Sequence, residues 1–187
     1  DTGARRLTVS FHVTGVHACA YPITDIDMIC VRENSEGEYS GVVGHIHLGT
    51  PHEVAQQVGV FTRHGIERIL RYGFEVAAKR PRKMLASATK SNALTHSMVL
   101  WDEVAEIVRQ AFPTVAYAKY HVDALAARTI THPQTPDVLV TSNPLGAILN
   151  VLAPVISGTP GTQPRPTITR PHAPPTHPQP LQATAAH

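Results

Sequence analysis

The feature that most constrains this chain is the regular exchange, from Asp25 onward, of short apolar runs with stretches of helical periodicity. The runs "DMICVRE", "KMLASA", "TVAYAKYHV" and "DVLVTS" read as strands, the first of them buried. After the first run, Thr62 can cap a helix reaching about Lys79, in which Ile66, Ile69, Leu70, Phe74 and Ala77 recur at the 3.6-residue helical spacing. A second helix is expected from about Ser97 to Phe112, with Leu100, Trp101, Val104, Ile107, Val108 and Ala111 on one side and Pro113 ending it. "DALAARTI" reads as a short helix. "TSNPLGAILNVLAPVISG", residues 141–158, reads as a buried helix that opens on an Asn-Pro pair and holds no ionisable side chain. Strands alternating with helices in this way predict an α/β domain with at least some parallel pairing.

The two ends differ from this middle. Residues 1–24 contain one short strand candidate, "LTVSFHV", with no period that ties it to the segments after Asp25. Residues 159–187 hold eight of the sixteen prolines and no acid, so they are expected to be a disordered tail sampling polyproline II and coil. The expected organisation is therefore a poorly matched segment at 1–24, a folded domain at 25–158 and a proline-rich tail at 159–187. Within the domain, "SEGEYSGVVGHIHLG" reads as a glycine-punctuated hairpin or arm and "EVAQQVGVFTR" as an extended segment. The chain begins with Asp1 and contains no charged and apolar stretch that reads as a signal peptide, and it is expected to be a fragment of a longer protein.

Charge and composition narrow the function classes. A formal net charge of +2, with acids and bases mixed along residues 25–128, gives no footprint for nucleic acid. No apolar run reaches the roughly 18–20 residues of a membrane helix. Cys19 and Cys30 lack zinc-ligand spacing, which points to a reduced, intracellular and cytoplasmic setting. The histidines are scattered, and His172, His177 and His187 read as surface residues. Dinucleotide Gly-x-Gly-x-x-Gly, P-loop, zinc-protease and nucleophile-elbow motifs are absent.

Three segments concentrate polar groups at strand ends, where open α/β sheets place ligands. In "VRENSEGEYSG", Arg32 can grip a carboxylate with paired hydrogen bonds and Tyr39 can donate a proton; a solvated turn fits the segment equally. In "SATKSNA", Lys90 follows a strand with Asn92 beyond it; a lysine with a lowered pKa can serve as a base, and a merely solvated lysine also fits. In "YHVDALAAR", Asp123 suits a helix cap or a metal ligand.

Taken in order, "DIDMICVRENSEGEYSG", "VFTRHGIERILRYGFEVAAKRPRKMLASATKSNA", "MVLWDEV", "YHVDALAAR" and "DVLVTSNPLGAIL" resemble the isocitrate and isopropylmalate dehydrogenase family, most closely its tartrate / D-malate dehydrogenase branch. The resemblance covers residues 25 to about 158 and implies a partial isopropylmalate dehydrogenase-like fold, a central sheet with flanking helices. It implies NAD-linked, Mg2+- or Mn2+-dependent oxidation of a small 2-hydroxy acid, followed by decarboxylation. By their places in the motifs, Arg32 would bind a substrate carboxylate and Tyr39 would protonate the enolate left by CO2. Lys90 would help take the hydroxyl proton, Asn92 would face the nicotinamide, and Asp123 would ligate the metal. The family builds its site between two subunits, so a homodimer is implied, with the helices at 97–112 and 145–157 as its interface.

The departures are specific. The family's Gly-Asp-Ile-Leu-Ser-Asp segment carries two metal-binding aspartates, whose positions here hold Ala147 and Val151. One carboxylate–cation pair at about 4 Å is worth roughly 4 kcal/mol at an effective dielectric near 20, so losing two should put micromolar Mg2+ binding out of reach. The upstream substrate arginines and the Gly-Ser-Ala-Pro dinucleotide loop do not occur, and "ISGTPGTQP" keeps only part of the family's glycine-rich segment. Impaired turnover is therefore expected. The alternatives are a non-catalytic dimerisation module and the product of a truncated gene.

Overall fold

In a computed structural model, the backbone is described for residues 7–15, 26–156 and 167–168, and the side chains for residues 27–152. The expected coil of the tail lies almost wholly outside the described residues. The elements in order are β1 (Leu7–Gly15), β2 (Ile26–Glu33), β3 (Val43–Ile46), β4 (Val54–Gln57), α1 (Arg63–Ala78), β5 (Met84–Thr89), α2 (Ser97–Arg109), β6 (Ala116–His121), α3 (Val122–Thr131), β7 (Val138–Thr141), α4 (Asn143–Ile156) and β8 (Thr167–Ile168).

Six strands form one sheet in the order β6-β5-β7-β2-β1-β8, and β3 with β4 forms a separate antiparallel hairpin. The pairs β6–β5, β5–β7 and β7–β2 are parallel. β1 runs antiparallel to β2, with Leu7 opposite Glu33 and Gly15 opposite Ile26. The strand read in residues 1–24 thus belongs to the central sheet, through a pairing that has no local signature in the sequence.

Both faces of the parallel strands are covered, which explains their nearly unbroken apolar runs. Val31, Leu85, Val138 and Val140 face α1 and α2, packing with Ile66, Ile69, Leu70, Phe74, Trp101 and Val104. The alternate residues Met28, Cys30, Ala86, Ala88 and Leu139 face the other way, against Leu125 of α3 and Leu149 of α4. Burial of Cys30 pushes its thiol pKa up to about 12. α1 begins as its sequence dictates: the Thr62 hydroxyl accepts from the Gly65 amide, and the Glu36 carboxylate accepts from the Thr62 amide and hydroxyl.

The helices differ from expectation in three ways. α2 stops at Arg109 rather than Phe112, and its buried set is Met98, Trp101, Asp102, Val104, Ala105 and Val108. Ile107 lies about 100° around the axis from Val108 and is 56% exposed; Ala111 is exposed as well. α4 is not buried all round, because Ile148 and Val151 are 57% and 58% exposed. Finally, α2 and α4 cover opposite faces of the sheet, so they cannot supply one continuous interface; the neighbour of α4 is α3.

The N-terminal ends of the parallel strands are tied by charge. Asp137, just before β7, is fully buried and accepts from the backbone amides of Arg82 and Lys83 at 3.0 Å each. The Arg80 guanidinium also bonds Asp137 and reaches the Asp27 carboxylate at 2.7 Å. These contacts join the loop before β5 to the starts of β2 and β7.

Candidate active site

Because β6, β5, β7 and β2 are parallel and adjacent, their C-terminal ends stand in a row. Each end carries a polar residue: Asp123 in the first turn after β6, Lys90 directly after β5, Asn143 opening α4 after β7, and Arg32 near the end of β2. This is the edge at which open α/β sheets hold ligands.

Two pairs form along the row. Lys90 Nζ donates to Asp123 Oδ1 at 2.8 Å, with the lysine side chain 29% and the aspartate 67% exposed. The Lys90 hydrogen bond, followed by backbone amides at the start of α3, holds the Asp123 carboxyl below its ordinary pKa. So exposed a pair is heavily screened and contributes little to folding. Farther along, Arg32 donates from Nε and Nη2 to Asn143 Oδ1 at 3.1 and 2.6 Å. Asn143 is buried, and its Nδ2 donates to the Glu36 carbonyl at 3.2 Å.

The loop after β2 is braced by Glu33. Its carboxylate accepts from the Ser35 and Glu36 amides at 2.8 and 2.7 Å, and from Arg68 of α1 at 2.5 Å. Gly37 and Gly41 turn this loop with φ of +85° and +82°, a backbone region that favours glycine. Between them Tyr39 stands 60% exposed. Asn92 is also exposed, in the turn whose amides at Ala93 and Leu94 donate to the Lys90 carbonyl.

Of the residues singled out from sequence, Lys90 and Asp123 are in contact, Arg32 is held two strands away from Lys90, and Tyr39 and Asn92 are exposed in the loops after β2 and β5. Asn143 is not among them. Its one sequence signal, the Asn-Pro pair, reads as a helix start and says nothing of a partner 111 residues earlier.

Among the described residues the donor set for a metal ion is incomplete. Ala147 is half-buried and Val151 exposed on α4, so neither position offers an oxygen, and among the described residues no group of three or more His, Cys, Asp or Glu could hold a metal ion. Asp123 is the one carboxylate at the three positions in question. This donor set does not fit a divalent cation, which takes several oxygen ligands. No helix among the described residues is long and apolar enough to cross a membrane.

Residues 9–175 match the isocitrate/isopropylmalate dehydrogenase family. The chain belongs to that family. The D-malate dehydrogenase (decarboxylating) of Escherichia coli strain K12 is 51% identical over 140 residues, covering 75% of this chain and 39% of the relative. The tartrate dehydrogenase/decarboxylase of Pseudomonas putida is 45% identical over 143 residues, covering 76% of this chain and 39% of its own length. The chain therefore spans about two fifths of the length of those relatives. The crystal structure of isocitrate dehydrogenase from Methylococcus capsulatus superposes with a TM-score of 0.78 at 30% identity, over 87% of this chain and 47% of the other. The family match extends past residues 25–158 on both sides and takes in most of β1.

Proposed function

We propose that this chain is part of an NAD-dependent, decarboxylating dehydrogenase acting on a small 2-hydroxy acid such as tartrate or D-malate, and that its own turnover is impaired. The observation that supports the reading is the row of strand ends carrying Asp123, Lys90 and Arg32, in a chain 51% identical to a D-malate dehydrogenase. In this reading, the Arg32 guanidinium binds a substrate carboxylate through paired hydrogen bonds. Lys90 would help take the hydroxyl proton, directly or through water, once the ammonium that now donates to Asp123 has released a proton of its own, and Asn92 would face the nicotinamide. NAD, when bound, would supply the hydride acceptor. After CO2 leaves, the exposed Tyr39 hydroxyl gives its proton to the enolate carbon.

Impairment rests on Ala147 and Val151, which stand where Mg2+ or Mn2+ would need carboxylates. NADH formation by the 187-residue chain with D-malate or L-tartrate, NAD and Mn2+ tests this: little or no turnover is expected, and clear Mn2+-dependent NADH formation contradicts the impairment. A tartrate affinity unchanged by Arg32→Lys would refute the substrate role of Arg32.

A second reading, a dimerisation module, is favoured by apolar exposure. Ile148 and Val151 of α4 and Ile130 of the adjoining α3 are 50–58% exposed, and the hairpin presents Val43, Ile46 and Val54. These surfaces fit a second copy of the chain. Light scattering should then give a dimer mass; a well-folded monomer contradicts it.

A further inference from the structure

We propose that Asn143, with Gly146 one helical turn on, is the positioning residue for Arg32: it orients the guanidinium without neutralising its charge. The inference rests on the reading of Arg32 as a carboxylate-binding residue, and deepens it.

Three observations carry it. First, Oδ1 of Asn143 takes hydrogens from both Nε and Nη2 of Arg32, at 3.1 and 2.6 Å, which fixes the plane and rotation of the planar group. Second, Asn143 is itself held. It is 4% exposed, it opens α4, and its Nδ2 is anchored on the Glu36 carbonyl at 3.2 Å, so the amide cannot flip without losing both contacts. Third, the stem of Arg32 runs against Gly146. A Cβ there would lie 2.7 and 2.8 Å from Arg32 Cγ and Cδ and would also crowd the Thr141 hydroxyl. The first turn of α4 thus grips the side chain at its head and leaves room for its stem.

The choice of amide matters chemically. An aspartate at 143 would hold the fork at least as firmly, but its negative charge would compete with an incoming carboxylate for the same guanidinium. An amide oxygen accepts the hydrogen bonds and brings no negative charge of its own beside the guanidinium.

The test is nuclear magnetic resonance of the Arg32 Nε–Hε group in the full chain, with and without D-malate as probe, folding being checked by circular dichroism. The unmodified chain should show a sharp Arg32 signal with slow side-chain rotation, and this signal should shift on addition of D-malate. Asn143→Ala should lose the slow rotation and weaken D-malate binding by about tenfold or more, the loss expected for a hydrogen bond to a charged group. Asn143→Asp should keep the slow rotation and still weaken binding, a split that a merely structural role would not produce. If Asn143→Ala fails to fold, Gly146→Ala displaces the same side chain from its stem and should lose the slow rotation. Fast rotation in the unmodified chain, or slow rotation and unchanged affinity in Asn143→Ala, would overturn the inference. Slow rotation that depends on Asn143, with no D-malate shift at all, supports the orienting role and instead refutes the carboxylate reading.

Discussion

The two ends of the parallel sheet are built from the same kinds of residue and used differently. At the N-terminal ends, Asp137 is fully buried and receives amides from Arg82 and Lys83 together with the Arg80 guanidinium. At the C-terminal ends, Asp123 is exposed and meets one lysine. An aspartate out of reach of water is tolerable only when its partners are complete, so the first end is committed to structure. A charge pair in solvent adds almost nothing to stability, and its cost to folding is correspondingly small. The difference identifies the edge at which chemistry can be carried without unfolding the domain.

Substitutions can break or sharpen that contrast. The largest effect is expected for Asp137→Ala, which strands Arg80 and two amides; loss of one partner of a buried pair costs about 3–5 kcal/mol, read as a large fall in the urea midpoint. Glu33→Ala should come next, at about 2–3 kcal/mol, because the amides of Ser35 and Glu36 and the Arg68 guanidinium lose their acceptor. It would show that the C-terminal end has a structural brace beneath its exposed pair.

A pH effect is expected from Cys30. The thiol ionises at its ordinary value of 9.0 when unfolded and at about 12 when folded, so its contribution is complete below pH 9. Between those values the unfolded chain has released a proton that the folded chain keeps, and stability falls by about 1.4 kcal/mol per pH unit. Alkaline unfolding of Cys30→Ala beside the unmodified chain isolates this slope. The smallest effect is expected for Asp123→Asn, with no measurable change in urea midpoint at neutral pH. A shift as large as that of Asp137→Ala would erase the distinction between the ends.

Much of the architecture is legible in the sequence. The 3.6-residue spacing from Ile66 to Ala77 and the Thr62 cap specify α1, and the apolar runs specify the parallel strands. Local patterns cannot give β1 its partner, since antiparallel pairing with β2 is set by contacts between residues distant along the chain. For the same reason, Lys90 and Asp123 can be named but not joined: they meet only because β5 and β6 are neighbours. The apolar composition of 141–158 suggests full burial, yet Ile148 and Val151 face outward, because composition does not reveal which face a partner covers. Asn143 is hidden by its other role as the opening residue of α4.

In the proposed reading, the C-terminal edge keeps the layout of a dehydrogenase site while the side chains of Ala147 and Val151 offer no oxygen to a metal ion. Electron paramagnetic resonance of free Mn2+ tests it directly, on the unmodified chain and on the chain carrying Ala147→Asp together with Val151→Asp. The account predicts that the unmodified chain leaves micromolar Mn2+ free and that the double substitution takes it up. Equal, tight Mn2+ binding by both chains would contradict it.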